Sequence, residues 1–160
     1  MNNKVYIGID NGATGTIGFI YPDGTVQIMA TPIKVQQDYT KKKHNISRLN
    51  HELFKVMLDA HPFAFVGLER PMVNATRFKA SASGLRVFEA QLVIIEQLKT
   101  PYVVFDSKTW QKEFFPQGHA SGETKELSNQ VGRRLFPSLV NPFKDYDGIL
   151  IAKYLQLKGY

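Results

Sequence analysis

The chain has no cysteine among its 160 residues. That excludes disulfide staples and thiolate metal centres, and it suits a reducing compartment such as the cytoplasm. Its four histidines, at positions 44, 51, 61 and 119, are not spaced as metal ligands. Its one tryptophan, Trp110, reads as a core or interface residue. No apolar run approaches the roughly 20 residues of a bilayer-spanning helix, so no membrane association is expected. Lys4 and Asp10 bracket a short strand-like stretch rather than the apolar centre of a secretory signal. Acidic residues are in the minority, 14 against 20 Lys plus Arg, for a net charge of +6. With 43% hydrophobic residues the chain reads as one globular domain over 1–160 with its own core.

The order of elements predicts an α/β fold. Residues 4–10, 16–21 and 25–30 read as strands, with Pro22-Asp23-Gly24 as a hairpin turn. Residues 31–45 are polar and predict a loop, and Asn45 or Ser47 is placed to cap a helix over 47–60. Phe63 to Glu69 predicts a buried strand, residues 71–83 a mobile basic loop, and 84–98 a helix with Leu85, Phe88, Leu92, Ile95 and Leu98 at helical spacing. A strand at Tyr102–Phe105, a short helix around Trp110 and helices over 123–136 and 146–158 follow. Together these imply a five-stranded mixed sheet, three antiparallel strands then two parallel ones, with helices on both faces.

What the chain does have is acids at informative places. Asp10 ends the first strand, ahead of a turn of small residues. Glu69 ends the buried strand, where an unpaired carboxylate is costly; Arg70 beside it is the ordinary ion-pair partner. Asp147 opens the apolar run Gly148-Ile149-Leu150-Ile151-Ala152. Asp145 cannot share a helical face with Asp147, since two residues on are about 200° around; it turns inward only if it precedes the helix, and otherwise serves as a cap. Oxygen ligands converging from separate segments are what hard divalent cations need. A basic surface around an acidic pocket fits an enzyme acting on nucleic acid. Lys125 opens a helix against the dipole preference, as a phosphate contact would. Arg77, Lys79 and Arg86 follow Glu69 and are candidates to grip a strand. The turn Asp10-Asn11-Gly12-Ala13-Thr14-Gly15-Thr16 also has the look of a sugar-kinase phosphate loop, but such proteins need two lobes and this chain has length for one.

Ile7-Gly8-Ile9-Asp10, Gly67-Leu68-Glu69-Arg70-Pro71 and Asp147-Gly148-Ile149-Leu150-Ile151-Ala152, in this order and spacing, resemble the RuvC-type Holliday junction resolvases of the ribonuclease H-like superfamily. Lys108-Thr109-Trp110-Gln111-Lys112, Lys125-Glu126-Leu127-Ser128 and Leu135-Phe136-Pro137 look like the segment before the final acid in phage-borne members. The resemblance implies a homodimer that cuts two opposed strands of a four-way DNA junction or other branched DNA. It implies two Mg²⁺ ions, replaceable by Mn²⁺, held by Asp10, Glu69 and Asp147 with help from Asp145, and charge stabilisation from Lys125. Met72 to Phe78 fall where the family has a loop entering the junction, which makes Met72 and Phe78 candidate wedges. The helix over 84–98 is expected to form much of the dimer interface. One departure stands out: the family's further acid or His, three or four residues before the last Asp, is replaced here by Lys144 or Phe143, and Asp145 lies closer. The alternatives are a related nuclease acting on flaps or RNA–DNA hybrids, and a junction-binding protein with a weak pocket.

Overall fold

A computed structural model describes residues 3–160. Three short strands open the chain: β1 (Val5–Ile9), β2 (Thr16–Ile20) and β3 (Val26–Ala30). The ribbon β4 (Ile33–Gln37) and β5 (Asn45–Leu49) follows, then α1 (His51–Asp59), β6 (Ala64–Glu69) and α2 (Phe78–Gln97). Strand β7 (Tyr102–Phe105) and helices α3 (Ser107–Phe114), α4 (Thr124–Leu135) and α5 (Asp147–Lys158) complete the fold. The main sheet has the order β3-β2-β1-β6-β7, with β3, β2 and β1 antiparallel and β6 and β7 parallel to β1. This is the five-stranded mixed sheet that the sequence predicts. Among the described residues no helix is long and apolar enough to cross a membrane.

The two faces of the sheet carry different cores, as the alternation of side chains along a strand requires. Ile7, Ile9, Ile17, Phe19, Val66 and Leu68 point to one face, where they pack with Phe54 and Leu58 of α1 and Val87 and Ile95 of α2. The other face is covered by α5, outside which lie α3 and α4. Helix α5 is apolar on nearly every side because it is enclosed: Ile149, Leu150, Ile151, Ala152 and Leu155 are all fully buried.

On the α5 face, three glycines stand side by side across the central strands: Gly18 of β2 pairs with Gly8 of β1, which pairs with Gly67 of β6. A Cβ at position 8 would lie 2.2 Å from the Gly148 carbonyl oxygen, and one at position 18 would lie 2.3 Å from the Ile149 Cα. The row is therefore a trough: Gly8 and Gly18 seat the first turns of α5 directly on the sheet backbone, and Gly67 receives the Leu155 side chain. Thr16 fastens the joint: its carbonyl accepts the Asp10 N–H at 3.0 Å, and its hydroxyl accepts the Gly148 N–H at 3.1 Å.

Two expectations are corrected. Residues 31–49 are not a loop running into a helix but the ribbon β4–β5, with Ile33 opposite Leu49 and Gln37 opposite Asn45. The helix cap is accordingly Asn50, whose side chain accepts from the Leu53 N–H, and neither Asn45 nor Ser47. Cross-strand pairing decides this segment, and the weak apolar pattern of Ile33-Lys34-Val35-Gln36-Gln37 hides it. Residues 71–83 are likewise not wholly loop. Asn74 caps a 3₁₀ turn at Ala75–Arg77, and α2 begins at Phe78, well before the expected position 84. The buried Ser81 hydroxyl locks this start, accepting from the Asn74 N–H at 2.9 Å and donating to its carbonyl at 3.1 Å.

Candidate metal centre

Every acid singled out in the sequence sits at the same end of the sheet. Asp10 follows β1 and Glu69 ends the adjacent parallel strand β6, so the two emerge side by side. Asp147 is the first residue of α5, carried there by the glycine trough, and its position at a helix N-terminus suits a negative charge. Asp145 precedes the helix, which frees it from the helical periodicity that would turn it away. Asn141 fixes its backbone by donating to the Asp145 carbonyl at 2.7 Å, and the Asp145 carboxylate accepts from the Asp147 N–H at 3.3 Å.

Carboxylate oxygens of Asp10, Asp145 and Asp147 all lie within 4.8 Å of one another. Asp145 is buried at 9% exposure, while Asp10 and Asp147 are half-buried, leaving one side open to solvent. Glu69 stands at the edge of this group. Its partner is not Arg70, which instead pairs with Asp106 at 2.5 Å, but the indole N–H of fully buried Trp110, at 2.6 Å from the carboxylate.

The electrostatics are those of an anion cage short of positive charge. Burial, then the charges of Glu69, Asp147 and Asp145, raise the Asp10 carboxyl well above the usual carboxylate range; Lys125 opposes them. Burial pushes Glu69 to about 7, against the pull of the Trp110 hydrogen bond, with Asp147, Asp145 and Asp106 adding to the rise. Burial and Asp145 push Asp147 to about 7, while a hydrogen bond from Ser128 and the charge of Lys125 oppose it. Lys125 is exposed on the first turn of α4, within electrostatic reach of both Asp10 and Asp147. An all-oxygen donor set with clustered carboxylates and so little compensating charge fits a hard divalent cation such as Mg²⁺ or Mn²⁺.

The candidate DNA-contacting residues divide. Arg77 and Lys79 are exposed at the start of α2, with Met72 at 79% and Phe78 at 74% exposure beside them. The start of α2 lies at the acidic end of the sheet, since Asn11, next to Asp10, donates to the Gly84 carbonyl at 3.4 Å. Arg86 is different: it is half-buried, and its guanidinium donates to the Ser47 carbonyl of β5 at 3.4 Å. Trp110, Ser128, Thr16 and Asn141 position the acids and were not legible as such. The signal for Trp110 was its rarity combined with an indole N–H that donates and cannot accept.

Comparison with protein-family models finds no match to this chain, and comparison with curated proteins finds none. Solved structures do match. The fold is similar to that of Thermus thermophilus RuvC in complex with a Holliday junction substrate, with a TM-score of 0.66 at 16% identity, over 97% of this chain and 94% of that one. A second Thermus thermophilus RuvC structure matches with a TM-score of 0.57 at 16% identity, over 97% and 96% of the two chains. The yeast mitochondrial Holliday junction resolvase matches with a TM-score of 0.51 at 15% identity, over 99% and 81%. The chain has the RuvC fold.

The raised carboxyls set a pH dependence for the metal-free protein. Glu69 and Asp147 move from ordinary values of 4.5 and 3.8 to about 7, so between those limits the folded state binds more protons than the unfolded chain. Their stabilisation is complete below pH ~4 and is lost as pH rises through about 7. Thermal melts in EDTA are expected to show the midpoint falling across that window. Asp147→Asn should flatten the fall and melt higher than the parent at pH 8. A variant less stable than the parent under those conditions contradicts this account.

Proposed function

We propose that the protein is a divalent-metal-dependent endonuclease that hydrolyses phosphodiesters in four-way and other branched DNA. The observation that carries this reading is the meeting of Asp10, Asp145 and Asp147 within 4.8 Å, with Glu69 alongside, at one end of a RuvC-like sheet. The net charge of +6 supports a polyanionic substrate. The neighbour solved with a Holliday junction substrate supports branched DNA as its form.

Asp10, Glu69, Asp145 and Asp147 would hold the metal, two Mg²⁺ ions by the resemblance. Bound there, divalent cations acidify a water and offset the charge that develops on the phosphate. The rest falls to the protein. Trp110 aims the Glu69 carboxylate and favours its ionised form. Asn141 holds Asp145 inward, so that this acid takes the place left by Lys144 and Phe143. Lys125 adds a positive charge beside the cage, where a phosphate would approach. Arg77 and Lys79 contact the DNA backbone without reading sequence, and Met72 and Phe78 offer apolar surface to an unstacked base.

The protein acts as a homodimer, because a two-fold protein presents two pockets to a nearly two-fold junction. Helix α2 supplies the interface through Leu85 and Val93, exposed at 44% and 42%. Phe88 and Leu92 pack against the core instead, so charges placed there report on folding rather than association. Leu85→Asp combined with Val93→Asp is expected to sediment as a monomer. Persistence of a dimer in that double variant contradicts the assignment to α2.

The activity is tested with a labelled four-way junction, a flap and an RNA–DNA hybrid, each with Mg²⁺ or EDTA. Junction cleavage in Mg²⁺ alone is expected. Asp10→Asn, Glu69→Gln and Asp147→Asn should each slow it by at least about a hundredfold, about 2.7 kcal/mol of barrier. Asp145→Asn should also slow it markedly, and near-normal cleavage there would reduce Asp145 to a structural role. A wild-type protein that binds junctions and never cuts them refutes the enzymatic reading.

A further inference from the structure

The ribbon β4–β5 belongs to neither layer of the domain, and its sequence is unusually one-sided in charge. Lys34, Lys41, Lys42, Lys43 and Arg48 face a single acid, Asp38, whose carboxylate is already engaged by the Thr40 hydroxyl at 2.7 Å and N–H at 3.1 Å. Among the described residues no ion pair includes Lys41, Lys42 or Lys43, and all three are exposed. Tyr39, on the same turn, is 92% exposed. The turn is a charged tip that touches little of its own protein.

Its root is well anchored, and in a telling place. Leu49 is buried at 3% exposure, and Ile33 packs against the same core. Arg86 of α2 braces β5 at Ser47. Strand β3 enters the root with Ala30 paired to Thr16, and Thr31 donates to the Gly15 carbonyl at 3.0 Å. Thr16 in turn binds Asp10 and Gly148, so the ribbon springs from the acidic end of the sheet. Five residues per strand at roughly 3.3 Å each carry the tip about 16 Å from that root.

We propose that β4–β5 is a second DNA grip, a basic arm that holds the phosphate backbone of one duplex arm of the branched substrate. This rests on the reading above that the substrate is branched DNA. A two-stranded ribbon matches the width of a duplex major groove, about 12 Å. Lysines without a fork geometry hold phosphates as point charges and read no sequence. A second copy of this chain is disfavoured as occupant, because the tip would meet a chain of net charge +6. The arm lengthens the footprint beyond the pocket, onto DNA that is not cut.

The test measures binding of a fluorescent four-way junction by the full-length protein without divalent cations, across a series of KCl concentrations. The parent is compared with Lys41→Ala/Lys42→Ala/Lys43→Ala and with the matching triple Arg variant. The Ala triple should bind 10- to 100-fold more weakly near physiological salt, lose up to about 2.7 from the slope of log K against log salt, and melt at the parent's temperature. The Arg triple should retain parental affinity and slope. An Ala triple with parental affinity and slope overturns the arm, whose lysines then serve another anionic partner such as a lipid surface. A parent that binds no junction overturns both the arm and the reading beneath it. A parent that binds without cutting, while the Ala triple loses slope, supports the arm and refutes only the nuclease.

Discussion

Helix α5 touches the sheet backbone to backbone at Gly18 and Gly8, which leave no side chains between them, while Gly67 makes room for the Leu155 side chain. Almost everything about the site depends on that seat. A helix packed on a sheet through side chains stands roughly 10 Å away, whereas here the Gly148 carbonyl would meet a Cβ of residue 8 at 2.2 Å. The close approach sets Asp147 beside Asp10, and Thr16 ties the backbones that carry both. The apolar run after Asp147 follows from the same constraint, since a helix set so deep and covered by α3 and α4 has almost no solvent face.

The acids thus brought together oppose one another. Burial and three neighbouring carboxylates raise the Asp10 pKa, with Lys125 as the cation that counters them. Folding accepts this cost because the sheet and α5 are held by burial on both faces, a gain that does not depend on the charge state of their ends. Such an arrangement favours divalent cations at neutral pH, since binding relieves the repulsion that folding imposed. Trp110 makes the point from the other side: its indole is buried completely, and its polar atom is spent on the one carboxylate that lies at the edge of the cluster.

The main sheet, its three antiparallel and two parallel strands, and the position of each acid along the chain were legible because they rest on local pattern. Buried strands ended at Asp10 and Glu69, and an apolar helix began at Asp147. What was not legible depends on pairing between distant residues. Nothing local announces that Gly8, Gly18 and Gly67 align, or that Glu69 finds its donor in Trp110 rather than in adjacent Arg70. The ribbon was read as a loop because residues 31–45 are polar and hold Lys41, Lys42 and Lys43, and the early start of α2 was hidden by the small residues Ala80 to Gly84. The helix over 84–98 was expected to form much of the dimer interface, but its Phe88 and Leu92 pack against the core.

Asp10, Asp145 and Asp147 meet at one end of a sheet with the RuvC fold. The account therefore turns on whether the cluster holds a cation. Crystals of the protein soaked in MnCl₂ and measured at the manganese edge test this directly. The expected result is an anomalous peak about 2.2 Å from carboxylate oxygens of Asp10, Asp145 and Asp147, with Glu69 drawn toward it. An empty cluster at millimolar Mn²⁺, or a peak confined to other carboxylates, would contradict it.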